Sequence, residues 1–183
     1  SIQGTDDNLC LQSSSLPVND VHISNCSFSS VCAAIRIGLK SIGSISDVHI
    51  SHCSMKNVWR EGIKIECSEG GNISDINIQD ITMNDVSRPI FILLNNRFEP
   101  DDLGSSLELD HIPEIGTMSD IIISDIIASD SDEMRNTHYR FDDDVMGSPK
   151  FAGIRIDAEK NHPIRNLTLR NICLLYTSDA ADE

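Results

Sequence analysis

Two adjacent carboxylates, Asp6 and Asp7, precede a short apolar run, and Arg36, Lys64 and Glu66 recur inside the equivalent runs further along the chain. Hydrolysis of a glycosidic bond needs one acid to protonate the leaving oxygen and one base to activate water. In an inverting reaction the two groups stand about 6.5–9.5 Å apart. Neighbours on a strand point to opposite faces, so Asp6 and Asp7 cannot both aim the same way. Either one paired with a carboxylate one or two layers away would span that distance, and Glu66 lies two layers on. Arg36 and Lys64 would bind a negatively charged sugar and hold one carboxylate ionised. The same residues also read as an ordinary exposed charge ladder across strands, and spacing taken alone favours that reading.

Bringing residues so distant in sequence onto one flank requires a repeating scaffold, and the sequence contains one. The octet VHISNCSF at 21–28 returns as VHISHCSM at 48–55, INIQDITM at 76–83, IIISDIIA at 121–128 and LTLRNICL at 167–174. The first copies are spaced roughly 27 to 28 residues apart, so that length is one unit and the longer later gaps are a unit plus an insertion. Apolar and polar residues alternate within each octet, the mark of a half-buried strand. A second family of strands falls between the octets: NLCLQ at 8–12, AAIRIG at 33–38, GIKIEC at 62–67, PIFILL at 89–94 and AGIRID at 152–157.

Stacking equivalent strands places Leu9, Ile35, Ile63, Ile90 and Ile154 in one inward column and Leu11, Ile37, Ile65, Ile92 and Ile156 in another. Each layer adds about 4.7–4.9 Å and satisfies its backbone groups from the layers above and below, so the strands must be parallel. Outward lie Cys10, Arg36, Lys64, Phe91 and Arg155, then Gln12, Gly38, Glu66, Leu93 and Asp157, predicting a shallow groove able to follow a polymer. Asn25, His52, Asp80, Asp125 and Asn171 form a polar column, expected to mark a tight corner because short polar side chains tolerate left-handed backbone. The architecture that satisfies every column is all-β, a right-handed parallel β-helix. It forms a single domain over 1–172, with insertions near 96–118 and 129–150.

The chain has 183 residues, a net charge of −15 and 4% aromatics, which suits a narrow solenoid filled by Ile, Val and Leu. That charge disfavours nucleic acid and anionic membrane as partners, and no apolar stretch is long enough for a spanning helix. Asp142, Asp143 and Asp144 in the second insertion offer a calcium reading, but without the ligand pattern of a hand-type loop. Cys26 and Cys53 share one column and read as stacked core thiols, not an oxidised framework. No cofactor and no metal site is expected from the scattered cysteines and histidines. The chain opens at Ser1 within a running repeat, so an upstream part is expected to be missing. Residues 173–183, CLLYTSDAADE, break the pattern and look like a translated sequencing adapter.

The ordered segments TDDNLCLQS, VHISNCSFSS, CAAIRIG and GIKIECSEGGNISDINIQDITMNDVSRPIFI resemble glycoside hydrolase family 28, the polygalacturonases and rhamnogalacturonases, over nearly all of residues 4–96. The resemblance implies a pectin-lyase-like solenoid, inverting hydrolysis of pectic or other uronic-acid-containing polysaccharide, and secretion or export to a periplasm. The family's Gly-Asp-Asp motif maps onto Asp6 and Asp7, with Thr5 in place of the glycine. That mapping makes Asp6 the proton donor and Asp7 a water-activating base or its helper, with Arg36, Arg60 and Lys64 expected as contacts of the sugar carboxylate. Gly-His-Gly becomes Cys32-Ala33-Ala34, Arg-Ile-Lys becomes Lys64-Ile65-Glu66, and the Asn-Thr-Asp motif would lie before Ser1. These departures point to a divergent branch in which Glu66 replaces the absent carboxylate. The expected partner is the polysaccharide alone, met by a monomer. The competing readings are a non-catalytic glycan-binding adhesin or tail-like protein and, behind it, a calcium-dependent lyase.

Overall fold

The computed structural model describes residues 1–98, 112–129 and 153–175. Among these residues, alternating apolar and polar residues form ten strands: β1 (Ile2–Gly4), β2 (Leu9–Ser13), β3 (Val21–Ser24), β4 (Ser27–Ser30), β5 (Ile35–Ser41), β6 (Ile45–Cys67), β7 (Asn72–Leu94), β8 (Thr117–Ser129), β9 (Ile154–Ala158) and β10 (Arg165–Leu175). The fold is all-β, with no helix among the described residues. Every strand pairing there is parallel, and the strands belong to one sheet that does not close into a barrel.

The register is the sequence repeat read vertically. Val21 lies beside Val48, Val48 beside Ile76, Ile76 beside Ile121 and Ile121 beside Leu167. The columns Leu9, Ile35, Ile63, Ile90, Ile154 and Leu11, Ile37, Ile65, Ile92, Ile156 form as the alternation predicts. Ile35, Ile37, Ile50, Ile63, Ile65, Ile78 and Ile92 are wholly buried. Each such side chain removed from water contributes about 1.5–3 kcal/mol, and this interior is the main force holding the layers together. Gln12 departs from its expected column. The register slips between Leu11 and Ser13, so that Ser13 meets Ser41 and nothing pairs Gln12 with Gly38.

The corner column is left-handed throughout: Asn25, His52, Asp80, Asp125 and Asn171 have φ of 56°, 53°, 54°, 57° and 52°. A second column, unforeseen, lies five residues earlier at Asp20, Asp47, Asp75, Asp120 and Asn166, and a shorter one holds Asn57 and Asp85. Asn and Asp suit these places because their short side chains bond locally and offset the strain of left-handed backbone. Asn166 and Asn171 do so across layers, donating to Asp120 and Asp125 at 2.8 Å each.

Strand β10 continues three residues beyond the expected boundary at 172, with Cys173, Leu174 and Leu175 beside Ile127, Ala128 and Ser129. Residues 176–183, the Asp142–Asp144 run and most of both insertions lie outside the described residues. Among the described residues no helix is long and apolar enough to cross a membrane.

Candidate functional site

Thr5 and Asp6 bend the chain between β1 and β2, so strand alternation does not govern the two aspartates. Both carboxylates turn toward Cys32, and the ligand atoms of Asp6, Asp7 and Cys32 lie within 4.8 Å of one another. This corrects the expectation that adjacent aspartates must diverge. Asp6 Oδ1 accepts the Asp7 N–H at 2.8 Å and stays exposed.

Asp7 is the better anchored of the two. Its Oδ1 accepts the Ala33 N–H at 3.0 Å, and its Oδ2 meets Arg36 Nη1 at 2.8 Å. Burial works to raise its pKa, but hydrogen bonds from the Cys32 thiol, Arg36 and Ala33 outweigh it and hold Asp7 below the usual carboxylate range. Burial and the bond to Asp7 push the Cys32 thiol up to about 11.

Arg36 leads to the next layer. Its Nη2 and Nε reach Glu66 Oε2 at 2.9 and 3.1 Å, a fork-shaped grip that an ammonium could not make. Burial acts to lower the Arg36 pKa, but Asp7 and Glu66 overcome it, so the guanidinium is permanently charged. Glu66 also meets Lys64 Nζ at 3.3 Å, Lys64 approaches Glu61 at 3.8 Å, and Glu61 meets Arg88 at 3.2 Å. Arg60 joins from the side, 3.5 Å from Glu61 and 3.8 Å from the Cys32 sulfur. Asp7, Arg36, Glu66, Lys64 and Glu61 thus form a line of alternating charge that ends on Arg88.

All six candidate residues fall on one flank, because Cys10, Arg36, Lys64, Phe91 and Arg155 stack in register as outward neighbours. The flank is not the open groove expected of outward side chains. Lys64 and Glu66 are each only 4% exposed, and Phe91 1%. Their stems lie along the sheet and cover one another, with Lys64, Arg88 and Arg155 cations 5.6, 5.5 and 5.7 Å from the Phe91 ring centre. Solvent reaches Asp6, Cys10 and part of Arg36.

Arg88 and Cys32 are members of this cluster that spacing did not single out. The register slips between Val58 and Glu61, which brings Glu61 opposite Arg88 and out of step with the layers before it. A strictly periodic reading cannot see such a pair; an acid and a base about one unit apart is the only trace it leaves in sequence.

Asp6, Asp7 and Cys32 are also the described residues best arranged to hold a cation. Arg36 on Asp7 and Arg60 on Cys32 already supply positive charge there, which opposes a metal ion. The arrangement therefore suits proton transfer beside a fixed anion better than ion binding. Comparison with protein-family models, with curated proteins and with solved structures finds no match for this chain.

Proposed function

We propose that this chain is a right-handed parallel β-helix that hydrolyses a polysaccharide containing uronic acid, by acid–base catalysis with inversion. The in-register parallel layers and left-handed Asn/Asp corners support the helical coil. The resemblance of residues 4–96 to glycoside hydrolase family 28 supports the chemistry. One observation carries the assignment of roles: Asp7 is clamped by Arg36 at 2.8 Å, while no ion pair reaches the exposed Asp6 beside it among the described residues. Asp7 is the fixed carboxylate that prepares water, and Asp6 delivers the proton to the leaving oxygen.

Glu66 takes a different part from the base suggested by its position. Buried and held by both Arg36 and Lys64, it orients the two cations. Arg36 and Arg60 are the partly exposed cations beside the two aspartates and can meet a sugar carboxylate. Secretion or export accompanies this reading, since the polymer is extracellular.

The test is release of reducing ends from polygalacturonan and rhamnogalacturonan. Asp6→Asn and Asp7→Asn should each lower turnover by about 10²–10⁴-fold, the usual contribution of a positioned acid or base. Normal turnover in Asp6→Asn would sink the proposal.

A second reading rests on a specific distance. The Asp6 and Asp7 oxygens lie within 4.8 Å, short of the roughly 6.5–9.5 Å an inverting pair leaves for its water. A flank that binds glycans without cutting them fits that spacing. Glycan binding that is unchanged in Asp6→Asn, with no product after long incubation, would select it.

A further inference from the structure

Cys26 and Cys53 occupy the position just past the same left-handed corner in consecutive layers. Ser24 beside Ser51 and Ser27 beside Ser54 fix them opposite one another, and the Ser54 N–H donates to the Cys26 carbonyl at 2.9 Å. Each thiol donates to the carbonyl two residues back, Cys26 to Ser24 at 3.4 Å and Cys53 to Ser51 at 3.2 Å, so the two side chains point the same way. Both cysteines line a surface cavity of about 590 Å³ that Asn25, His52 and Asp80 also line. Cys26 is half-buried and Cys53 3% exposed, and both are free thiols in this structure.

We propose that Cys26 and Cys53 form a reversible disulfide site, closed and opened by exchange with a low-molecular-weight disulfide of the glutathione type. Neither cysteine belongs to the charged flank. Stacked strands hold their Cα atoms about 4.7–4.9 Å apart, inside the 4.4–6.8 Å window for disulfides. Side chains that rise in parallel keep a similar spacing at Cβ, beyond the usual 3.5–4.5 Å, so the closed bond is strained and easily reduced. That strain makes the pair responsive instead of a permanent staple.

The exchange balances in two displacements. The more accessible Cys26, as thiolate, attacks one sulfur of glutathione disulfide; a mixed disulfide forms and one glutathione thiolate leaves. Cys53, as thiolate, then attacks the Cys26 sulfur, the bond to glutathione breaks, and the second glutathione leaves. Two protein thiols are oxidised, one small disulfide is reduced, and the two thiol protons end on the two glutathiones. Burial raises the Cys53 pKa, so the second displacement is the slow one.

The chain is equilibrated across glutathione redox buffers, quenched with acid and alkylating agent, digested, and mapped by mass spectrometry. The expected result is a peptide pair joined through Cys26 and Cys53 at oxidising ratios and lost at reducing ones. Cys26→Ser should abolish it, and Cys53→Ser should leave Cys26 carrying a glutathione adduct. Glutathione attached to the exposed Cys10 with no Cys26–Cys53 link at the most oxidising ratio would overturn the proposal. So would a link that survives the most reducing ratio.

Discussion

Glu61 is 1% exposed and faces three cations, Arg88, Lys64 and Arg60. Removing one partner from a buried ionic group strands the others, at a cost of about 3–5 kcal/mol. Glu61→Ala should therefore lower the unfolding free energy by that amount in a urea titration, and a loss below about 1 kcal/mol would show that water reaches the cations. Asp7 makes a second, pH-dependent contribution. Its folded pKa lies below the reference value of 3.8, so the unfolded chain takes up its proton first as the medium becomes acid. The stability it supplies is complete above pH 3.8 and disappears as pH falls through the folded value. In Asp7→Asn the decline of stability as pH falls below about 4 should be shallower than in the parent, measured by urea midpoints through that descent. At this scale the sequence was only partly legible. Arg36, Lys64 and Glu66 could be placed in neighbouring layers from their spacing, but their burial could not, because it arises from how long side chains lie over one another. The convergence of Asp6 and Asp7 was hidden for another reason: a bend before β2 removes the alternation on which the reading relied.

The elements owe their shape to corners that nearly every layer repeats. A polar residue at each of Asn25, His52, Asp80, Asp125 and Asn171 was visible as a corner signal, and the matching aspartate column at Asp20, Asp47, Asp75 and Asp120 carried the same signal unread. Gly38 shows what else an element demands. Its φ is +92°, and a Cβ there would stand 1.8 Å from the carbonyl oxygen of Glu66 in the next layer. Gly38→Ala should cost more than the roughly 1–3 kcal/mol of a strained residue alone, because β5 must also move away from β6. Thermal unfolding would register the loss, and an unchanged midpoint would mean that the two strands do not pack as closely as described. Nothing in composition marks this glycine out from the others; the need for it appears only once the neighbouring layer is in place.

Across the molecule, stability comes from contacts between adjacent layers. Among the described residues, strands β6 and β7 are flanked on both sides, whereas β1, β2, β9 and β10 each pair on one side only. Amide hydrogen exchange should accordingly be slowest in β6 and β7 and fastest in β1, β2 and β10, with free energies graded between them. Uniform protection throughout would indicate a single cooperative unit in place of a layered one. The parallel pairing and both aliphatic columns were legible from the repeated octets, since identical strands in successive units have identical neighbours to seek. The steps between layers are uneven, with partners 26, 27, 28, 45, 46 or 64 residues apart, yet equivalent residues still meet. Because equivalent residues meet whatever the length of chain between them, the segments that join one rung to the next are natural splice points. A foreign epitope threaded there would ride on the scaffold as cargo, leaving the register that carries it untouched.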